Sequence, residues 1–598
     1  MSQEDTSGPD RRAAAQSWRR ALELTAPIAR QPDVTLPAAI ARIAEGRGDA
    51  PALISERQTL SYRALAARTE GYAAWAWRMD LAPGDVVCLM MPNCPEYLAI
   101  WLGIIQRGGV VALINTNLVG DALRHAIDIV QPRHLIATDT LLRECETIRP
   151  RLKTEVRFWS HNGDGPRWSG SAFEGPFEGG FASAPSAAPT LRDRALYIYT
   201  SGTTGLPKAA SVSHFRLMQW THWFAGLSGS GPDDRMYNCL PMYHSVGGVV
   251  ATGAMLVAGG SVAIRERFSA SRFWEDVTRW DCTVFQYIGE LCRYLVAAPP
   301  QPRETGHRLR LACGNGLRAD LWGSFQNRFE IPRIIEFYAA TESPLSLFNC
   351  DGKPGAIGRV PAYLAHRFPV AIVRFDIDAG DVVRGADGLC IRCGSDEVGE
   401  AISKLADAES DGSARFEGYT DAAASERKIL RDVFASGDAW YRTGDLMRRD
   451  RAGYFYFVDR IGDTFRWKGE NVSTTEVEAA IAACPGVVEV VAYGVSVPGA
   501  EGRAGMAALV TDDTFGITGF AAHLAGRLPD YARPLFVRLC RQIVVTGTFK
   551  PQKQGLVRAG FDPAATADAL YVYDRREEAY VSLDAALHER IDRGELRL

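Results

Sequence analysis

The sequence predicts an α/β chain: a large N-terminal domain of α/β layers plus a β-rich subdomain, followed by a small α+β C-terminal domain. Three observations carry this reading. Residues from about 35 to 160 alternate helical patterns, such as 61–78, with short apolar strands at 86–90 and 110–114, which is the βαβ rhythm of a layered fold. A stretch rich in Gly and Asp turns, from about 371 to 457, reads as β structure. From about 463 onward, strand-like runs at 488–493 and 506–511 belong to a second, smaller unit. The domain boundary is set between 461 and 462, giving domains of 1–461 and 462–598, and no internal repeat is present.

Between 161 and 189 the chain becomes rich in Gly, Ser, Pro and Ala and loses periodicity, as expected of a surface loop or flexible insertion. Further strands are expected at 195–199, 261–264, 283–287 and 309–313. With 598 residues, 46% hydrophobic and 23% charged, the chain is long enough for more than one core. Its net charge, 67 − 71 = −4, gives no global pull toward nucleic acid, so none is expected as a partner. The 12 cysteines are dispersed. Cys390 and Cys393 have metal-like spacing, but no second pair completes a tetrahedral site, so the cysteines read as reduced thiols in the cytoplasm.

The first ten residues are polar and acidic and do not read as a secretory signal. The longest apolar region, 97–105, is flanked by Glu96 and Arg107 and is too short to span a bilayer. A helix over 11–26 would gather Ala14, Trp18, Ala21, Leu22 and Thr25 on one side, with Arg11, Arg12, Arg19 and Arg20 elsewhere. That pattern permits peripheral docking on the anionic inner face of a membrane. It also suits a helix packed on its own domain.

Tyr199-Thr200-Ser201-Gly202-Thr203-Thr204-Gly205-Leu206-Pro207-Lys208 is the most chemically pointed string. Glycines let the backbone approach an anion, hydroxyls and N–H groups donate hydrogen bonds, and Lys208 adds a mobile positive charge, so the loop is built to hold phosphate. It is not a Walker A loop, which needs four residues between its glycines and a Gly-Lys-Ser/Thr ending. Here two residues separate Gly202 from Gly205, and Ala209 follows Lys208. Gly314-Asn315-Gly316-Leu317-Arg318-Ala319 fits a loose dinucleotide fingerprint but lies mid-chain, without the βαβ start and distant acid of a Rossmann site.

The ordered string at 199–208 resembles the phosphate loop of the adenylate-forming superfamily. Matching strings follow in that family's order: Leu240-Pro241-Met242-Tyr243-His244, Ala312 to Leu317, Tyr338-Ala339-Ala340-Thr341-Glu342, Tyr441-Arg442-Thr443-Gly444-Asp445, Asp459 to Asn471, and Thr546-Gly547-Thr548-Phe549-Lys550. The resemblance covers roughly residues 35 to 565. Gly462 to Asn471, Asp351 to Arg359 and Thr548-Phe549-Lys550 are similar to the branch of very-long-chain acyl-CoA synthetases, also called fatty acid transport proteins.

The resemblance implies a role for each residue. Thr200 to Gly205 and Lys208 would hold the β- and γ-phosphates of ATP. Gly314, Asn315 and Gly316 would line adenine, and Tyr338, followed by Ala339 and Ala340, would stack on it. Thr341 would hydrogen-bond a phosphate oxygen, and Glu342 would be the carboxylate that coordinates Mg²⁺. Asp445 would accept both ribose hydroxyls, and Arg460 would reach ribose or phosphate. His244 would lie near the substrate carboxylate and the future thioester. Lys550, with Lys553 ranked behind it, would enter on a mobile C-terminal domain and neutralise charge as the carboxylate attacks the α-phosphate.

Gly462 stands where many relatives place the Asp or Lys of a hinge, and Ala209 and Ala339 replace common glycines. A tryptophan that gates the acyl tunnel in a relative matches Gly248, so Gly247 and Gly248 are expected to leave that tunnel open. The implied activity is fatty acid activation with ATP to acyl-AMP and pyrophosphate, then thioester formation with CoA. A CoA ligase for sterol side chains, an acyl-AMP ligase feeding a carrier protein and a lipid uptake protein are the alternatives. A homodimer is compatible with all of them.

Overall fold

The computed structural model describes residues 11–161, 168–169, 188–201, 206–377, 379–405, 415–468, 470–498, 500, 502–546 and 550–596. Most of the expected 161–189 insertion lies outside them. The chain divides into two compact units, Met1–Ala362 with Leu405–Ile429, and Tyr363–Lys404 with Leu430–Leu598.

The first unit is built on two large sheets. One runs in the order Trp168–Ser169, Arg157–His161, His134–Ala137, Val86–Met90, Val110–Leu113, Arg194–Ser201 and Pro207–Ser213. Its inner pairings are parallel and its two edge pairings antiparallel. The central strands Val86–Met90 and Val110–Leu113 are unbroken apolar runs, buried along their whole length. The other sheet runs Ser346–Asn349, Ile334–Ala339, Leu311–Asn315, Val284–Ile288, Arg235–Asn238, Ser261–Ile264, Pro51–Ile54 and Thr59–Ser61. The parallel strands Leu311–Asn315 and Ile334–Ala339 bring two of the sequence motifs side by side.

Local signals set the helices. Ser61 caps Tyr62–Arg78, its Oγ accepting the Ala64 N–H at 3.2 Å. Ser213 caps His214–Ser228 by accepting the Arg216 N–H, and Gly229 ends that helix at φ 60°. The apolar run at 97–105 is the buried helix Pro95–Gln106, and no described helix is long and apolar enough to cross a membrane.

The expected N-terminal helix forms over Arg11–Thr25 and lies against His214–Ser228. Trp18 meets Trp223 and Phe348 edge-on at ring distances of 5.7 and 5.8 Å. A Cβ at Gly226 would stand 2.4 Å from Ala21 Cα, so the helices touch through their backbones. The apolar side of the helix is thus covered by the chain's own core.

The second unit carries the antiparallel strands Tyr454–Arg460, Ala439–Arg449, Gly399–Lys404 and Val370–Val373 in that order. A further sheet runs Val487–Ser496, Arg503–Thr511, Phe536–Leu539, Ala569–Asp574 and Ala579–Ser582. Helices Thr474–Ala482, Ile517–Ala525 and Ala585–Asp592 bury Val477, Ile481, Phe520, Leu524 and Ile591 in its core. The boundary read at 461/462 falls inside this unit, between the β-rich layer and the α+β layer.

Candidate active site

In the first unit the flanks of the 202–205 segment are fixed by antiparallel pairing, with Thr200 opposite Lys208 and Ser201 opposite Pro207. Tyr199 anchors its strand through a buried hydroxyl that donates to Ala126 O at 2.6 Å. Gly202, Thr203, Thr204 and Gly205, and the side chain of Ser201, lie outside the described residues.

Glu342 is buried, and its Oε1 accepts a hydrogen bond from Tyr419 at 2.7 Å. The Thr200 side chain lies beside the Tyr419 hydroxyl, and Lys208 Nζ stands 5.6 Å over the Tyr419 ring. Tyr419 therefore joins two motifs that the sequence keeps far apart. Burial, then the charge of Glu342, pushes its phenol well above the ordinary range, so it remains a donor at neutral pH. Its position is set by the main chain: Ser211 N–H donates to Gly418 O at 3.0 Å and Thr420 N–H to Ala209 O at 3.1 Å.

The turn that carries Glu342 is held from the other side by Arg216. This buried guanidinium donates to the carbonyls of Thr341 (3.0 Å), Glu342 (3.3 Å) and Ser343 (3.1 Å). Ser245 Oγ lies 3.1 Å from Thr341 Oγ1 and ties the His244 loop to the same turn. A buried carboxylate, hydroxyls and an ammonium group in one cluster suit a phosphate chain accompanied by a hard cation.

Gly314, Asn315 and Gly316 end a strand whose neighbour supplies Tyr338, half-buried beside exposed Ala339 and half-buried Ala340. On its other side, a Cβ at Gly314 would stand 2.2 Å from Tyr287 O, so only glycine lets this strand meet Val284–Ile288. Buried Glu336 secures the loop: Oε1 accepts the N–H groups of Gly316 and Leu317, and Oε2 pairs with the Tyr287 hydroxyl. Burial pushes this carboxyl up to about 8. Asn315 Oδ1 is buried with no hydrogen-bond partner among the described residues, an open acceptor that suits the amino group of adenine.

His244 is half-buried, with its ring 4.6 Å from that of Tyr243. Asn93 braces this loop by donating to Leu240 O and accepting the Met242 N–H, both at 2.8 Å. The expectation that Gly247 and Gly248 leave a tunnel open is corrected by the packing. A Cβ at Gly248 would lie 1.9 Å from Met242 O, and one at Gly247 would lie 2.6 Å from Pro241 O. The missing side chains are filled by main chain, and the glycines let the turn Val246–Val250 press against residues 240–242.

In the second unit Asp445 and Arg460, fifteen residues apart in sequence, are direct cross-strand partners. Thr443 Oγ1 accepts the Asp445 N–H at 3.1 Å. Gly462 lies in an exposed turn just beyond, with open space where a Cβ would point. Lys550 is exposed; its N–H donates to Thr546 Oγ1 at 3.1 Å and its carbonyl accepts the Thr546 N–H at 2.8 Å. Lys553 differs: its Nζ meets Thr474 Oγ1 (3.2 Å), Asp463 (3.3 Å) and Glu478 (3.5 Å). Trp467 is buried in the core of this unit.

Tyr419, Arg216 and Glu336 were absent from the sequence-based site. The only local signal for the first is a Gly-Tyr-Thr string that reads as a surface turn, and for the others a charged residue inside an apolar run.

Comparison with known proteins agrees with this organisation. The family model of the AMP-binding enzymes matches residues 40–388, and that of the AMP-binding enzyme C-terminal domain matches 476–550. Long-chain fatty acid transport protein 1 of Mus musculus is 42% identical over 532 residues, covering 87% of this chain and 81% of that protein. Long-chain fatty acid transport protein 2 of Rattus norvegicus is 38% identical over 557 residues, covering 92% and 89%. Among solved structures, ATP-bound MatB from Rhodopseudomonas palustris superposes with a TM-score of 0.70 at 24% identity, over 88% of this chain and 99% of that one. A benzoate CoA ligase from Burkholderia xenovorans gives 0.72 at 19%, over 88% and 100%. These two likenesses establish the fold. Together with the matched family models and the identity to the transport proteins, they place the chain among the AMP-binding enzymes of the adenylate-forming superfamily, in the branch of the long-chain fatty acid transport proteins.

Proposed function

We propose that this enzyme is a long-chain or very-long-chain fatty acyl-CoA synthetase. In the first half-reaction a fatty acid carboxylate attacks the α-phosphorus of ATP, giving acyl-AMP and releasing pyrophosphate. In the second, the CoA thiolate attacks the acyl carbon and AMP leaves. The observation that carries the reading is the buried Glu342 carboxylate, held beside Thr200 and Lys208 through Tyr419. Asn315 Oδ1, an acceptor without a partner among the described residues, supports adenine at 314–316.

Roles follow from the chemistry of each group. Thr200, Ser201, Gly202, Thr203, Thr204, Gly205 and Lys208 hold the β- and γ-phosphates, and Tyr338 to Thr341 flank the base and the α-phosphate. Asp445 and Arg460, neighbours on paired strands, offer one acceptor and one cation to the ribose. Bound at Glu342, Mg²⁺ supplies neutralisation of phosphate charge. Lys550 carries the positive charge that draws carboxylate and α-phosphate together, on a domain beginning at 462 that turns about Gly462. His244 stays near the substrate carboxylate without an assigned proton. No covalent intermediate with the protein is required, since AMP is the leaving group.

ATP-dependent AMP release across a series of carboxylates, with and without CoA, tests the reading. Release with long-chain acids that continues through turnovers only when CoA is present, with acyl-CoA accumulating, is the expected result. Turnover with a carrier protein instead of CoA points to the acyl-AMP ligase, and preference for a sterol side chain points to the bulky-acid ligase. Fatty acid accumulation in cells that survives Lys550→Ala, when adenylation does not, points to an independent uptake role.

A further inference from the structure

Tyr419 contributes no group that the adenylation chemistry above demands, yet it stands where three of its parts converge. Its hydroxyl donates to Glu342 Oε1 at 2.7 Å and lies beside the Thr200 side chain, and its ring lies under Lys208 Nζ at 5.6 Å. The residues on either side are stitched into strand Pro207–Ser213 by main-chain hydrogen bonds, so the phenol cannot shift without the strand that leads out of the phosphate loop. The Glu342 backbone is clamped independently by Arg216. With the backbone held, the rotation of the Glu342 carboxylate is the freedom left, and Tyr419 is the group that takes it away.

We propose that Tyr419 is the positioning residue of the metal site: its hydroxyl orients the Glu342 carboxylate toward the cation. The proposal rests on the assignment of Glu342 as the metal carboxylate. Because the link is made by a neutral hydroxyl, it restrains Glu342 without removing its charge, and the carboxylate remains fully available to a hard cation. A carboxylate held in its ligating direction binds with less loss of rotamer freedom than one that must be ordered on arrival.

The test uses Tyr419→Phe, which keeps the ring under Lys208 and the main-chain pairing and deletes one oxygen. Mn²⁺ is titrated, with free ion followed by its electron paramagnetic resonance signal, into the full chain carrying an ATP analogue that cannot be cleaved between the α- and β-phosphates. Loss of one hydrogen bond to a charged group should weaken Mn²⁺ binding about tenfold, while affinity for the analogue without metal stays within about twofold. Because Tyr419 acts through Glu342, Tyr419→Phe should add nothing to Glu342→Gln in the double variant. Unchanged Mn²⁺ affinity in Tyr419→Phe overturns the proposal, as do additive effects in the double variant. If Glu342→Gln itself leaves Mn²⁺ binding unchanged, the metal reading of Glu342 falls first. If Glu342→Gln weakens binding and Tyr419→Phe does not, the role of Tyr419 alone falls.

Discussion

Replacing Glu336 with glutamine tests the physics of the loop after Asn315. Its carboxyl is fully buried, and burial lifts it from an ordinary 4.5 to about 8, against the opposing pull of Tyr287 and the N–H groups of Leu317 and Gly316. The sign follows from linkage. Below about pH 4.5 the group is protonated in both folded and unfolded chains and contributes no pH dependence. As pH rises, the unfolded carboxyl ionises while the folded one keeps its proton, so stability falls by up to about 1.4 kcal/mol per pH unit. The loss ends near pH 8, where the folded group ionises as well, and its full size is on the order of 5 kcal/mol. Oε2 lies against the Tyr287 hydroxyl, which donates to it, while Oε1 keeps both N–H donors. A glutamine side chain at this position would reproduce the neutral arrangement with an amide. Thermal unfolding of both proteins from about pH 5 to pH 8 should therefore show Glu336→Gln gaining on the natural chain as pH rises, by on the order of 3 kcal/mol at neutral pH. The difference curve cancels every other titrating group. A difference that stays flat across this range refutes a buried, proton-retaining Glu336.

Three further outcomes are expected. Arg216→Ala leaves the carbonyls of residues 341–343 without their shared donor and should lower stability by on the order of 3 kcal/mol, with AMP release falling more steeply than the melting temperature accounts for; Arg216→Lys, a single point charge, should recover only part of it. Gly248→Ala drives a Cβ into Met242 O and should destabilise by roughly 1–3 kcal/mol, measured by thermal melting, whereas an open channel wall at that position would tolerate alanine. Lys553→Met removes the cation from Asp463, Glu478 and Thr474, and should speed hydrogen exchange in Thr474–Ala482 while sparing adenylation far more than Lys550→Ala does.

Strands and helices were legible wherever burial imposes a pattern. Val86–Met90 and Ser261–Ile264 match the apolar runs residue for residue, and the 61–78 helix differs only in that Ser61 is its cap. Motif strings supplied the phosphate, metal and ribose candidates because those roles demand particular groups. What stayed hidden depends on pairing between distant segments. Nothing local in Gly418-Tyr419-Thr420 says that it lies along strand Pro207–Ser213. Asp445 and Arg460 are opposite each other because of an antiparallel register that contains a bulge, which spacing alone does not fix. At Gly248 the composition was read correctly and the geometry was not. A glycine in sequence looks like spare room, and here the room is taken by a carbonyl.

Helix His214–Ser228 has its first turn on the Glu342 turn, through Arg216, and its far end on the N-terminal helix, through Gly226 and Trp223. Fifteen residues at 1.5 Å each make a rod of about 22 Å. Trimming the chain past residue 25 would bare Trp223, Phe348 and the Gly226 backbone, and it would unload one end of the lever whose other end grips the Glu342 turn. Expression boundaries, tags and fusion points chosen for this protein therefore belong upstream of Arg11. A shortened enzyme that has lost nucleotide-dependent activity should be suspected of a slack rod before a damaged site.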